Sequence, residues 1–353
     1  MEKVILSKKE NIKSNININI PSSKSISNRL LIIKFLSKSN EEIEDLSDSD
    51  DTILLSNILN EIRTQKNNHF YTKNTGTTTR FLLAFLSITK GEWKIEADKR
   101  MNERGLLPLI EVLKSLGAEI KINNKENLFP ISISGKGLES KKEITFNDSF
   151  TSQFISALLL ISPCIKNGLI INIPNNQPSM PYIDMTISLV NSFNGKIEKE
   201  DNKLICSNSQ YIFHKTKVEK DWSSACFFYG LTSIGKFKEI RIKSLQPSYL
   251  QGDSIVKDMF SSLGVKTIFD KKGALLSYDN RLLSANKELT FNIKDFPDVF
   301  PALSVACFCL HKKVIIKGIK NLCFKESNRC FNLKNQRNNI FLQSKIYDDT
   351  FII

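Results

Sequence analysis

Pro21-Ser22-Ser23-Lys24-Ser25-Ile26-Ser27-Asn28-Arg29 puts an ammonium, several hydroxyls and a guanidinium together at a helix start. The first turn of a helix carries unpaired N–H groups and the positive end of the dipole, so anions settle there. Lys24 would add a point charge, and Arg29 a planar fork for carboxylate or phosphate. Ser25 and Ser27 can donate hydrogen bonds, and Pro21 fixes the approach of the chain. A serine N-cap alone accounts for the hydroxyls, but not for Lys-Ser followed by Asn-Arg. The chemistry implied is capture of a small phosphorylated acid.

Other segments offer related chemistry. In Asn74-Thr75-Gly76-Thr77-Thr78-Thr79-Arg80, Gly76 would let a ligand approach the backbone and Thr77 would cap a helix. Arg100-Met101-Asn102-Glu103-Arg104 precedes a further helix, and its charges fit a surface ion network equally well. Thr151-Ser152-Gln153 and Ser179-Met180-Pro181-Tyr182 place polar groups where they could serve as caps or as ligand donors. Asp298, after Phe296-Pro297, lies at an apolar helix start, where the dipole favours a carboxylate. Lys325-Glu326-Ser327-Asn328-Arg329 follows Asn321, and a continuous helix would set Lys325 and Arg329 on one face.

These groups need elements to aim them. Apolar periodicity predicts helices over 25–37, 77–88, 149–161, 181–193, 222–234, 252–263, 297–310 and 325–336. Strands are expected over 15–20, 169–173, 239–242 and 314–316, and the acidic stretch 41–51 reads as a solvated loop. A helix ending in a small turn before a strand recurs at 113–122, 190–197 and 260–268, with Gly117, Gly195 and Gly264 expected at positive φ. Weaker copies lie at 58–62 and 333–337. Ser115, Ser192 and Ser262 recur at intervals of about 70–77 residues, which suggests a repeated α/β unit.

At 353 residues the chain exceeds one usual core, so two domains are expected. Of its 50 basic residues only nine are arginine, at 29, 63, 80, 100, 104, 241, 281, 329 and 337. Five of them (29, 80, 100, 104, 329) fall in the segments above, where a fork has a use that lysine cannot fill. The net charge of +13 comes from scattered lysines. That pattern fits a solvated surface and steering of anionic small molecules, not a nucleic-acid stripe. The seven cysteines include no Cys-x-x-Cys, and His69, His214 and His311 show no ligand spacing, so neither disulfides nor a zinc site is expected. No apolar run is long enough to span a bilayer and no secretory signal opens the chain, so a cytoplasmic protein is expected.

In order, the segments at 21–29, 74–80, 100–104, 152–154 and 179–183, Asp-x-Ser-Ser-Ala at 221–225, Gln-Gly-Asp at 251–253, Pro297-Asp298 and 325–329 resemble the 3-phosphoshikimate 1-carboxyvinyltransferase, or EPSP synthase, family from about residue 15 onward. The resemblance implies an α/β (α+β) fold, a two-lobed inside-out α/β barrel of repeated βαβαββ-type units. The upper lobe would span 21–218; the lower would combine 1–20 with 219–353. The reaction implied transfers the enolpyruvyl group of phosphoenolpyruvate to the 5-hydroxyl of shikimate 3-phosphate, in aromatic amino-acid biosynthesis, and releases phosphate. It needs no metal or organic cofactor. By resemblance, Lys24, Ser25, Arg29, Thr151, Ser152, Gln153, Ser179, Asp298, Asn321 and Lys325 would hold shikimate 3-phosphate. Lys24, Gly76, Arg104, Gln153 and Arg329 would hold phosphoenolpyruvate. Asp298 would accept the hydroxyl proton, with Lys325 and Glu326 as candidates for the remaining transfers. Those two small molecules are the partners expected of a monomer, without nucleic acid or membrane.

The chain departs from the family pattern at Thr151 for Ser, Gly105 for Pro, Asn328 for Asp and Cys323 for a basic residue. It also lacks the family's C-terminal Asp-His-Arg segment and late lysine, so the last repeat unit is expected to be largely missing, leaving the lower lobe incomplete. Three readings follow: an active transferase, a binding-only relative without turnover, and a UDP-N-acetylglucosamine enolpyruvyl transferase. The Lys-Ser-x-Ser-Asn-Arg start and the lack of an evident loop cysteine argue against the last.

Overall fold

The computed structural model describes residues 15–139, 143–146, 151–286, 288–310, 313–338 and 344–353. His311, positions 149–150 of a predicted helix and residues 1–14 lie outside the described residues. The helices are α1 (Lys24–Leu36), α2 (Asp50–Arg63), α3 (Gly76–Ile88), α4 (Arg100–Glu103), α5 (Leu107–Ser115), α6 (Ser152–Ile161), α7 (Met180–Ser192), α8 (Trp222–Gly235), α9 (Val256–Ser261), α10 (Phe300–Cys309) and α11 (Arg329–Asn338).

Four four-stranded sheets share one topology. In chain order each runs strand, helix, parallel strand, helix, then a hairpin, with its strands arranged first-second-fourth-third. One sheet is His69–Tyr71, Gly91–Glu96, Ile131–Gly135 and Glu119–Lys121. The second is Ile144–Thr145, Leu169–Asn172, Lys203–Ser207 and Lys196–Glu200. The third is Asn15–Ile18, Glu239–Lys243, Gly273–Tyr278 and Val265–Asp270, and the fourth Glu288–Asn292, Lys313–Lys317, Thr350–Ile352 and Lys345–Tyr347. A parallel pair, Ile43–Glu44 with Thr216–Lys217, stands apart. The parallel pairs need crossovers, which the helices supply.

The apolar side chains form two separate cores. One runs from Ile26 to Val218; the other takes Ile20 and then Trp222 to Phe351. In the first, α3 is buried from Thr78 to Ser87 and α6 from Phe154 to Ile161, and the two helices pack together. Each Leu or Phe buried there contributes roughly 1.5–3 kcal/mol. The third sheet has its first strand at Asn15–Ile18 and the rest after the whole first core, so the chain crosses between the bodies twice. The two crossings are pinned together: Ser23 N donates to Glu219 O at 2.8 Å, and Asp221 N donates to Pro21 O at 3.0 Å.

Four local expectations need correction. The acidic stretch is not loop throughout, because Asp50 and Asp51 open α2. Thr52, Leu55, Ile58, Leu59 and Ile62 recur at helical spacing and are buried. The predicted helix over 325–336 begins only at Arg329; Lys325 is extended, and Asn328 caps the start by accepting from Phe331 N at 3.1 Å. The helices expected from 252 and 297 open as 3₁₀ turns, Gly252–Ile255 and Pro297–Val299, before α9 and α10. Gly117 and Gly264 do take positive φ, but Asn194 takes it in place of Gly195. Gly195 is required for a different reason: a Cβ there would sit 2.2 Å from Val190 Cγ1.

Candidate active site

A cleft of about 820 Å³ opens between the two cores. Helices from both bodies start at its wall, with Ser25 of α1, Thr77 of α3, Ser152 of α6, Tyr182 of α7, Ser223 of α8 and Pro301 of α10 all lining it. Several dipoles therefore aim positive ends into one space. Of the residues singled out in the sequence, Lys24, Ser25, Arg29, Arg104, Thr151, Ser152, Gln153, Ser179, Asp298, Asn321, Lys325, Glu326 and Arg329 all line this cleft.

Gly76 does not line it. It starts α3 directly beneath the arginines, where an added Cβ would lie 2.4 Å from Arg104 Nη2 and 2.6 Å from Arg80 Nη1. Its smallness makes room for guanidinium groups. Nor does Thr77 cap this helix: Thr75 is the N-cap, and Thr77 Oγ1 instead accepts from Gln153 Nε2 at 3.0 Å.

Ser23 caps α1, and the Lys24 side chain makes no hydrogen bond or ion pair among the described residues. Arg29 is buried, and its guanidinium spans the body. Nε donates to Thr186 Oγ1 at 2.7 Å, Nη1 to Ser25 O at 2.8 Å, and Nη2 to Ser156 Oγ and Tyr182 O, both at 3.1 Å. Burial pulls its pKa down to about 10, so it stays charged at neutral pH. Burial, and then the charge of Arg104, pull Arg80 down to about 9. Arg80 donates to Gln153 Oε1 at 2.5 Å and to Arg104 O at 2.8 Å. Thr151 caps α6, whereas Ser179, in the left-handed region at φ 59°, holds the N-cap position of α7 without a side-chain cap bond, and Asp295 Oδ1 accepts from Met180 N at 3.3 Å.

Arg104 donates to Asn74 O at 2.8 Å and to Glu326 Oε1 at 3.1 Å, across the cleft. The buried Nε atoms of Arg80 and Arg104 find no partner among the described residues. Burial works against the Glu326 charge, yet Arg104, Lys325 and Arg329 hold its carboxyl down at about 2. Arg100 makes a second tie between the bodies, donating to the carbonyls of Cys323 and Lys325 at 3.1 and 3.2 Å.

Although Lys325 and Arg329 do not share a helix face, they converge on Asp298. Lys325 Nζ lies 3.4 Å and Arg329 Nη1 2.6 Å from Oδ1, and the Tyr182 hydroxyl donates to Oδ2 at 3.0 Å. Burial opposes the charge of Asp298, but Lys325, Arg329 and Lys24 together hold it well below the usual carboxylate range. The cleft can thus hold two small anions and offers an ionised carboxylate between two cations. Among the described residues no group of three or more His, Cys, Asp or Glu is arranged to hold a metal ion, and no helix is long and apolar enough to cross a membrane.

Sequence reading did not assign Arg80, Tyr182, Asp221 or Ser223 to the site, though all line the cleft. Arg80 carried a signal, an arginine opening the apolar run Phe81-Leu82-Leu83. Asp221 carried another: it caps α8, accepting from Ser224 N at 2.8 Å.

Comparison with known proteins gives one family. A family model described as EPSP synthase (3-phosphoshikimate 1-carboxyvinyltransferase) matches residues 7–69 and 56–353. The 3-phosphoshikimate 1-carboxyvinyltransferase of Bacteroides fragilis strain YCH46 is 34% identical over 320 residues, covering 90% of this chain and 76% of that protein. That of Buchnera aphidicola subsp. Cinara cedri is 32% identical over 340 residues, covering 89% and 76%. An EPSP synthase structure from Acinetobacter baumannii superposes with a TM-score of 0.74 at 18% identity, covering 96% of this chain and 81% of that one, which shows the shared two-lobed α/β fold.

Proposed function

The chain belongs to the EPSP synthase family, and we propose how its own residues carry the reaction of that family. It transfers the enolpyruvyl group of phosphoenolpyruvate to the 5-hydroxyl of shikimate 3-phosphate and releases phosphate, a step of the shikimate pathway. The observation that carries the site assignment is the meeting of Lys24, Arg29 and Arg104 from one core with Asp298, Lys325 and Arg329 from the other at a single cleft.

In this reading the two cores are those of two lobes, 21–218 and 1–20 with 219–353. Lys24, Ser25 and Arg29 take the shikimate 3-phosphate side with Thr151, Ser152, Gln153, Ser179, Asn321 and Lys325. Lys24, Arg104, Gln153 and Arg329 take phosphoenolpyruvate, with Gly76 acting indirectly by letting Arg104 lie close. Both substrates are anions, and fixed cations in a partly dry cleft offset their repulsion and orient them. Asp298 stays ionised and so can accept the 5-hydroxyl proton. Glu326 is ionised too, which suits it to accept a proton and not to donate one, leaving Lys325 as the candidate donor. All seven cysteines are free thiols, which supports a reducing, cytoplasmic setting.

Calorimetric titration with shikimate 3-phosphate and then phosphoenolpyruvate, with phosphate release assayed on the same sample, tests this. Ordered binding with release is expected. Binding of the first substrate without release would favour the binding-only reading. Release dependent on UDP-N-acetylglucosamine would replace the assignment.

A further inference from the structure

Asp298 is not the end of the hydrogen-bonded line that starts in the cleft. The Tyr182 hydroxyl that donates to its Oδ2 also lies 3.3 and 3.2 Å from the two oxygens of Asp253. A phenol has one proton and two lone pairs, so it can donate to only one carboxylate at a time. The second contact becomes a bond only when Asp253 carries a proton. Three separate elements set this line, since Tyr182 stands on α7, Asp253 in the turn Gly252–Ile255, and Asp298 in the turn Pro297–Val299.

Asp253 is 3% exposed. Ser223 Oγ at the start of α8 donates to it, and no cation forms an ion pair with it among the described residues. The titratable groups facing it are Asp298, Asp221, Tyr182 and Cys226, while Lys325 and Arg329 pair with Asp298. Burial and the charges of Asp298 and Asp221 push Asp253 up to about 7, while Tyr182 is pushed well above its usual value and stays protonated.

We propose that Tyr182 and Asp253 form a proton relay behind Asp298, so that the proton Asp298 takes from the substrate hydroxyl passes on to Asp253. The inference rests on the reading of Asp298 as proton acceptor. The O–H bond made at Asp298 breaks as a new one forms at Tyr182 Oη. The phenolic proton leaves Oη for Asp253 in the same motion. Tyr182 ends with one proton, as it began; Asp298 returns to carboxylate and Asp253 becomes the neutral acid. The transfer runs from a carboxyl that two cations keep ionised to one that its neighbours disfavour as an anion. The reverse transfer returns the proton to the cleft, where the released phosphate takes it up. Asp298 alone would hold a proton poorly between Lys325 and Arg329, and the relay gives that proton a place to rest.

The test is kcat and KM for both substrates against pH in wild type, Y182F, D253N and D298N. In Y182F and D253N kcat is expected to fall about 10–100-fold with both KM values within about twofold. Wild-type kcat should decline below about pH 7 as Asp253 takes up a proton and can no longer receive one, and that limb should vanish in D253N. If D298N abolishes turnover while Y182F and D253N keep wild-type kcat and the acid limb, the relay is wrong and the base assignment stands. If D298N turns over normally, the base assignment itself fails. Should either relay variant fold poorly, the wild-type pH profile decides: an acid limb of kcat with a midpoint near pH 7 supports the relay, and a flat kcat from pH 5 to 8 overturns it.

Discussion

Arg104 of the first body and Glu326 of the second meet at 3.1 Å across the cleft, the arginine side chain 3% exposed and the glutamate 52% exposed. The fixed member of the pair is therefore Arg104, anchored from behind by Asn74 O at 2.8 Å. Glu326 is the member that solvent can reach, and an anion entering the cleft would compete with it for the same fork. The pair ties the two bodies together and keeps a guanidinium aimed at the site.

Arg104→Lys keeps the charge but loses the fork. A single ammonium cannot serve Asn74 O, Glu326 and a substrate anion together. The KM for phosphoenolpyruvate should rise about 10–100-fold, the equivalent of about 1.5–3 kcal/mol for a hydrogen bond to a charged group. Calorimetry should find shikimate 3-phosphate affinity within about threefold of wild type, and an equal loss for both substrates would remove Arg104 from the phosphoenolpyruvate side.

Gly76→Ala tests the same clamp without touching a charge. In a helix interior alanine is favoured over glycine by about 1 kcal/mol, but here its Cβ would meet two guanidinium groups at 2.4 and 2.6 Å. Both must shift, so phosphoenolpyruvate binding should weaken at least about tenfold while the melting temperature stays within a few degrees. Unchanged phosphoenolpyruvate affinity would show that the fork tolerates displacement.

Arg29→Lys should cost both stability and affinity. Arg29 satisfies Thr186 Oγ1, Ser156 Oγ, Ser25 O and Tyr182 O from within the core. Lysine can serve fewer of them; Thr186 Oγ1, Ser156 Oγ and Tyr182 O keep bonds to one another, so the loss is of charged hydrogen bonds worth about 1.5–3 kcal/mol each. Denaturant unfolding should show a loss of about 2–4 kcal/mol, together with weakened shikimate 3-phosphate binding. Full stability with lost binding would mark Arg29 as a ligand residue only.

Much of this site was legible in the chain because its groups sit at helix starts, and helix starts are local features. Lys24, Ser152, Ser179 and Asp298 each stand where a cap or a first turn announces itself. The convergence of Lys325 and Arg329 on Asp298 was not legible as geometry, because it depends on Lys325 being extended before α11 begins. Asp253 was hidden for a different reason. Its role comes from Tyr182, 71 residues away in the chain, and from burial that no local pattern reports. The repeated unit was visible in Gly117 and Gly264, whose positive φ closes each helix. The shared strand order was invisible, since the third sheet draws its first strand from Asn15–Ile18, a whole core away from its partner.

The relay also has a consequence for stability that does not need turnover. Asp253 is raised in the folded state to about 7, above its unfolded value. A carboxyl of that kind binds more protons folded than unfolded between its two pKa values, so its share of stability is present at low pH and is lost as pH rises through about 7. A shift of that size corresponds to at most a few kcal/mol, at about 1.4 kcal/mol for each pH unit. Asp253→Asn removes the charge while keeping an acceptor for Ser223 Oγ and a donor toward Tyr182 Oη. Thermal unfolding should therefore show D253N gaining on wild type as pH rises from 5 to 8, with the gap widest at pH 8. Glu326 runs the other way: held down at about 2, its contribution is present above the ordinary carboxylate range and is lost only as pH falls toward 2. The two groups thus act in separate pH windows, so a D253N gap that stays constant from pH 5 to 8 would show that Asp253 is ionised without penalty and has no raised proton affinity to offer the relay.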